Sequence, residues 1–471
     1  MLALCSCALF QQEHVVVRTT TLQTLPPTPV GSNAASPGAQ PTGPTTVFQP
    51  GSATPLNPGK PNYASDDGVT ADVIRLGTIQ PMDGPAAQLG RPLYRATQAY
   101  VNDLNARGGI NGRRVELYLQ TACINCEDEN KLAAKALVEQ KHVFAIVNTY
   151  MNTYAFSSAL KYLNEKRVPL IQGWSGVGGA DLSWGAKQTP WNVYFTIRNT
   201  DGAAVFARWL DAALAKWNAA GKLPSGCSAH PYWVGAVYLD TSQDERRTQE
   251  FERVWNSFGS DHRVVSKQAV AAEEETVTRM DSYISAMADA DACGAFSASN
   301  ITMVFGMQAG KRQGWVVPWV AKSAWGRAAT DNCGSACDGG FTDNNGWGWP
   351  GTSTPQMRQY HRVMERYYPD STDDAQTLGG WIGMMGFEYA AARLGADLTR
   401  RGLIGTLTSL RNFETGIGAR INTSGSDHLG MRQTMMLQIC HNRFYKVSDW
   451  LGATTRPPGS LASPCGWGYT T

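Results

Sequence analysis

Val73-Ile-Arg-Leu-Gly-Thr-Ile-Gln-Pro-Met-Asp-Gly-Pro85, followed from Asn102 by Asn-Asp-Leu-Asn-Ala-Arg-Gly-Gly-Ile-Asn-Gly-Arg-Arg114, is the stretch whose reading decides the fold. Val73–Gly77 is a short apolar run ending in glycine, the pattern of a buried strand. Gln80–Pro85 reads as a loop, and a helix is expected from near Pro92, because proline is tolerated at the first helical position. Leu93, Ala96, Tyr100, Val101 and Leu104 then fall on one face at helical spacing. Gly108-Gly109 stops that helix, Asn111-Gly112 turns the chain, and Val115–Leu119 reads as a second strand.

The same rhythm continues downstream. Helices are expected over 129–140, 154–165, 203–217, 245–258, 276–288 and 302–313, with strands at Val143–Val147, Val168–Ile171, Trp233–Leu239 and near 294–297. Strands alternating with helices of this length make parallel sheets with right-handed crossovers. So many units need two sheets, and the fold class is α/β with two doubly wound parallel sheets. In such sheets ligands sit outside the carboxyl ends of the strands. The candidate site therefore comprises Gln80–Gly84, Asn148–Tyr154, Gln172–Gly176, Asp240–Asp244, Ser297–Asn300 and Lys322–Trp325.

Composition narrows the function classes. The 471 residues carry 41 Lys+Arg against 39 Asp+Glu, a net charge of +2, which argues against a nucleic-acid partner. No apolar run is long enough for a membrane-spanning helix. Ten prolines between Leu22 and Pro61, mixed with Thr, Ser, Gly and Gln, predict a mobile stalk over 21–72. Before it, Leu4-Cys5-Ser6-Cys7 roughly resembles a bacterial lipobox. Residues 1–20 then read as the remnant of a signal region, with Cys7 the lipidated residue and that anchor the sole tie to a membrane. Eight further cysteines, an even number behind a secretory-looking start, favour disulfides over metal. Cys123-Ile-Asn-Cys126 has no second CxxC at zinc-ribbon spacing, so no metal is expected. Cys333 and Cys337 suit a local bridge.

The opening stretch resembles the leucine-binding family of periplasmic substrate-binding proteins, which serve ABC importers. A second resemblance lies in Asp397-Leu-Thr-Arg-Arg-Gly-Leu-Ile404 with Ser426-Asp-His-Leu-Gly-Met-Arg432 and the strand Thr434–Ile439. It implies a type I periplasmic binding protein architecture, with two lobes joined by a three-crossing hinge. Lobe one then takes 73–197 plus 345–430, and lobe two 198–344 plus 431–471. On this reading the bridges are Cys123–Cys126, Cys333–Cys337, Cys227–Cys293 and Cys440–Cys465, none of them crossing the hinge.

The family's carboxylate-binding loop corresponds to Tyr150-Met151-Asn152-Thr153-Tyr154, and the next loop to Gly173-Trp174-Ser175-Gly176. Further contacts fall at Asp240 and Asp244 after the Trp233–Leu239 strand, at Ser299, and at Ser323 where an acidic residue would hold an ammonium group. These departures argue against an ordinary α-amino acid. Trp347-Gly-Trp349-Pro reads as loop packing, Glu273-Glu-Glu275 as a helix start, and Asp427-His428 as a structural turn. No P-loop, HExxH or dinucleotide-binding glycine pattern occurs, so neither an enzyme nor a cofactor is expected. The expected function is an extracytoplasmic receptor, monomeric, closing on a small polar amino-acid- or amide-like solute and delivering it to an ABC permease and ATPase. The alternative is a ligand-sensing module of a signalling system, using the same fold without transport.

Overall fold

The computed structural model describes residues 45–84, 86–151, 155–173, 189–271, 278–322, 326, 332–371 and 375–466. All of them belong to one compact unit, Gly38–Thr471. After a short strand β1 (Thr46–Val47), the first sheet is built from β2 (Val73–Gln80), β3 (Arg114–Thr121), β4 (Ala145–Val147), β5 (Leu170–Gln172) and β6 (Asn192–Ile197). A late strand, Leu429–Met431, completes it beside β6, and every neighbouring pair in this sheet is parallel. The Asn111-Gly112 turn between α1 (Ala87–Ala106) and β3 has both residues at positive φ, where Asn and Gly are least penalised.

Helix α1 starts at Ala87, not near Pro92, and carries that proline inside it. Packing overrides the local preference here. A Cβ at Gly90 would lie 2.5 Å from the Pro81 carbonyl oxygen, so the first turn rests directly on the loop after β2. The helix expected over 129–140 is α2 (Glu127–Lys135) running into a π-helical turn, Ala136–Gln140. Helix α3 (Ser157–Glu165) precedes β5.

The second sheet begins after α4 (Asn199–Ala219) and contains β7 (Trp233–Leu239), β8 (Arg263–Val270), β9 (Gly294–Ser297), β10 (Trp319–Ala321) and β11 (Phe341–Asp343), all parallel. Helices α5 (Ser242–Asn256), α6 (Met280–Asp289) and α7 (Asn300–Gln313) connect them. The chain then returns to the first lobe through α8 (Pro355–Tyr367), α9 (Ala375–Leu394) and α10 (Arg400–Leu407). It finishes with β12 (Phe413–Glu414), β13 (the Leu429–Met431 strand), β14 (Gln433–Thr434), β15 (Met436–Cys440), β16 (Arg443–Lys446) and β17 (Leu451–Gly452). Strands β15 and β16 extend the second sheet in antiparallel fashion from β11.

Helix α9 was not foreseen. Its sequence carries Gly379, Gly380, Gly383 and Gly386, a composition that argues against a helix interior. The structure shows the reason for them. A Cβ on Gly383 would lie 2.2 Å from the Asn148 side-chain oxygen, and one on Gly386 would lie 2.1 Å from the Phe195 ring. The glycines let α9 press against the first sheet, and its described apolar side chains such as Leu378, Trp381, Ile382 and Phe387 are fully buried.

Residues 45–72 depart from the expected mobile stalk. Strand β1 pairs in parallel with β12, and Phe48, only 2% exposed, packs against Tyr389 and Phe413. The Gly51 N–H donates to Glu388 at 2.6 Å. Asn57, Lys60 and Tyr63 all donate to the Asp397 carboxylate at 2.9, 2.5 and 2.8 Å. The guanidinium of Arg113, fully buried, donates to the carbonyls of Tyr63, Thr70, Gly395 and Ala396. Average composition describes the segment poorly, because one aromatic ring and a few donors suffice to dock it.

The cysteines beyond the amino-terminal segment lie in four close pairs, Cys123–Cys126, Cys227–Cys293, Cys333–Cys337 and Cys440–Cys465, with Cα–Cα distances of 5.2, 5.6, 5.6 and 5.7 Å. No helix among the described residues is long and apolar enough to cross a membrane.

Candidate functional site

Three segments carry the chain between the lobes. The first runs from the carboxyl end of β6 into α4, the second leaves the carboxyl end of β11, and the third runs from the carboxyl end of β13 to β15. Since β6 and β13 run parallel, as do β10 and β11, all three leave the sheets on their carboxyl sides. The carboxyl edges of both sheets therefore lie on the side of the crossings. Hydrogen bonds tie the crossings together. The Ile197 N–H and Thr196 hydroxyl both donate to the Asn345 carbonyl at 3.2 Å. The Asn344 side-chain oxygen accepts from the Thr434 hydroxyl at 2.8 Å and the Met435 N–H at 2.9 Å. Arg198 and Arg432 both bond to Asp427, which ties the turn before β13 to the first and third crossings.

The first lobe presents a buried polar layer at the ends of β2, β4 and β5. Asn148, at φ +48°, donates through Nδ2 to the Thr97 hydroxyl (3.0 Å) and the Gly380 carbonyl (2.7 Å), and its Oδ1 accepts from the Gly173 N–H at 3.1 Å. Gln172 accepts from the Thr149 N–H at 2.8 Å. Gln80 donates to the Thr78 hydroxyl and to the Asn148 carbonyl, while its Oε1 is buried with no hydrogen-bond partner among the described residues. Asn148 thus ties the end of β4 and the first residue after β5 to α1 and α9.

The second lobe presents charges. Arg247 donates to Asp244 at 2.7 Å, to the Ala298 carbonyl at 2.9 Å and to the Asn199 side-chain oxygen at 3.0 Å. It therefore joins the starts of α4 and α5 to the end of β9. Burial pushes the Asp244 carboxyl up to about 6, and the neighbouring guanidinium limits that rise. Lys322, 1% exposed, donates to Asp343 at 2.7 Å and to the Asn345 side chain. Burial lowers its pKa, opposed by Asp343.

The expected site residues are distributed unevenly over these edges. Asp240 is exposed at the end of β7. Asp244 is buried in its ion pair, and the Ser299 oxygen caps α7 by accepting the Thr302 N–H at 3.4 Å. Tyr150 is buried in the main core of the first lobe, and Met151, 1% exposed, packs with Ile79, Phe156 and Leu160. Asn152, Thr153, Trp174, Ser175 and Ser323 lie outside the described residues, as does Tyr154.

Arg247 and Asn199 were not anticipated. Arg247 sits in Asp244-Glu-Arg-Arg247, which reads as a solvated helix face, and the one local signal was the Asp–Arg spacing of three residues along a helix. Trp347, expected in loop packing, is fully buried, and its indole N–H donates to the Phe195 carbonyl at 3.2 Å. His428, expected in a structural turn, bonds through Nδ1 to the Asn192 carbonyl at 2.7 Å.

Two parallel α/β sheets joined by three mutually bonded crossings define a bilobal α/β architecture. The chain belongs to the periplasmic binding protein family, whose pattern it matches over residues 73–442. An amino acid binding protein from Pseudomonas aeruginosa is 31% identical over 93 residues, which is 20% of this chain and 24% of that protein. The matched stretch thus spans about a quarter of that relative. Among solved structures, the fatty acid ABC transporter substrate-binding protein from Thermomonospora curvata superposes with a TM-score of 0.66 at 18% identity, covering 87% of this chain and 100% of that one. The branched-chain amino acid transporter substrate-binding protein from Streptococcus pneumoniae, in complex with isoleucine, gives 0.65 at 14% identity, covering 81% and 100%. At these identities the structural likeness establishes the fold.

Proposed function

We propose that this protein is an extracytoplasmic receptor that closes on a small polar solute, amino-acid- or amide-like, and delivers it to an ABC importer. The observation that carries the reading is the pair of polar carboxyl edges flanking three mutually hydrogen-bonded crossings. Each edge is rigid with its own lobe, the first through Asn148 and the second through Arg247. A solute that touches both edges gains contacts only in the closed form, and that difference in affinity is what drives closure. The names of the relatives support a solute with a carboxylate, since they include an amino acid binder, an isoleucine complex and a fatty acid transporter component.

In this reading lobe one is 73–197 plus 345–430 and lobe two 198–344 plus 431–471, and the ligand meets Asn152, Thr153, Trp174, Ser175, Asp240 and Ser323. The four close cysteine pairs are disulfides of an oxidising compartment, and Cys7 carries a lipid. The decisive experiment combines X-ray scattering with thermal unfolding across amino acids, amides, and aromatic and aliphatic carboxylates. A true ligand at a hundredfold excess over its Kd contracts the particle and adds about 2.7 kcal/mol of stability. In the same assay Trp174→Ala weakens that response while the empty protein melts as before. A complete panel with neither contraction nor stabilisation refutes the receptor.

A further inference from the structure

The loop after β3 holds a chemical grouping that the solute site does not use. Cys123, Cys126 and Glu129 place two sulfurs and a carboxylate oxygen within 4.8 Å of one another. The spacing is Cys-x-x-Cys-x-x-Glu, and Cys126 is the N-cap of α2, so Glu129 stands in the first turn and reaches back over the loop. Its Oε2 accepts the Cys123 N–H at 3.0 Å. We propose that this trio forms a thiolate–carboxylate site for one zinc-type ion when the Cys123–Cys126 bond is reduced.

Three observations support the site. First, the loop does not depend on its sulfur–sulfur bond for shape. The buried Asn130 donates through Nδ2 to the carbonyls of Cys123 (3.2 Å) and Cys126 (2.8 Å), and the Cys126 N–H donates to the Cys123 carbonyl at 3.3 Å. Those bonds survive reduction and keep the ligands together. Second, this pair is the accessible one. Cys123 is exposed and Cys126 half-buried, whereas each of the other three pairs includes at least one buried cysteine, Cys227, Cys293, Cys333, Cys337 and Cys440 among them. A small thiol reductant therefore reaches it first. Third, the first turn of α2 is acidic, with Glu127, Asp128 and Glu129, which favours a cation over a free thiolate pair.

The chemistry balances. Two equivalents of a small thiol reduce the disulfide to two cysteine thiols and leave as their own disulfide. Each cysteine then releases its proton to water as its sulfur binds the ion. Zinc–sulfur bonds of about 2.3 Å and zinc–oxygen bonds of about 2.0–2.2 Å put ligand atoms roughly 3.5–4 Å apart, a spread this cluster spans once the sulfurs separate. Thiolates select zinc or cadmium over magnesium and calcium, and water completes the tetrahedron.

The test uses the full chain with Cys5→Ser and Cys7→Ser, so that the eight paired cysteines are the only ones in it. After limited treatment with a dithiol, alkylation and mass spectrometry locate the opened pair, and zinc is titrated against a chromophoric chelator. Cadmium adds a sulfur-to-metal charge-transfer band as a direct readout. The expected result is one equivalent of zinc on the reduced protein and none on the oxidised protein. Glu129→Gln weakens binding by at least about tenfold, and Cys126→Ser abolishes the cadmium band. Three results each overturn the proposal: no zinc on the reduced chain, unchanged affinity in Glu129→Gln, or opening of a buried pair before Cys123–Cys126.

Discussion

Single atoms decide much of the geometry around the cleft. Gly173 follows β5, and a Cβ there would lie 1.6 Å from the Gly379 carbonyl oxygen on α9. Backbone cannot move aside as a flexible side chain does, so Gly173→Ala must push α9 off the sheet. Overpacking of this kind costs about 1–3 kcal/mol or more, read as a fall in the urea midpoint, and it misplaces Asn148 at the same time. Asp244 illustrates a charge effect. Its folded pKa of about 6 lies above its ordinary value, so the stability it contributes is complete below about pH 4 and is lost as pH rises to about 6. Asp244→Asn removes that slope from the pH dependence of unfolding. It also lowers stability above about pH 6, where the native carboxyl is ionised and its loss leaves Arg247 buried without that partner. Unfolding curves at several pH values separate the two effects. Neither consequence was legible locally, since Gly173 and Asp244 look ordinary until their distant neighbours are in place.

Among the elements, the segment at 45–72 changes most between composition and structure. Its docking rests on Phe48 at one end and Asp397 at the other. Phe48→Ala removes a ring buried against Tyr389 and Phe413 and should cost about 3–5 kcal/mol, with hydrogen-exchange protection lost around β1 and β12. Hydrogen bonds from Lys60, Tyr63 and Asn57 hold the Asp397 carboxyl down to about 2. Its grip on the segment therefore persists above the ordinary carboxylate range and is lost as pH falls through about 2. Strands and helices with clear periodicity were legible: β7 spans Trp233–Leu239 and β9 spans Gly294–Ser297, as their apolar runs indicate. Strands β6, β8 and β11 and helices α8, α9 and α10 carry no local signal that was read as an element. Helix α9 is apolar on all sides and rich in glycine, so it carries no amphipathic signal.

At the scale of the whole molecule, the sequence by itself determined the alternation of strands and helices, and with it two parallel sheets and the carboxyl edges as the site. It also determined the family through the motifs at Ile74–Arg114 and Asp397–Arg432. Local periodicity carries that information because each strand and helix buries one face wherever it is finally placed. The three-dimensional packing alone decides which polar groups pair at the two carboxyl edges. Asn148 is held by Thr97, Gly173 and Gly380, and Arg247 by Asn199, Asp244 and Ala298. Such partnerships join residues up to 232 positions apart. They exist because folding removes these groups from water, and a buried donor or acceptor must find its partner wherever the chain has brought one.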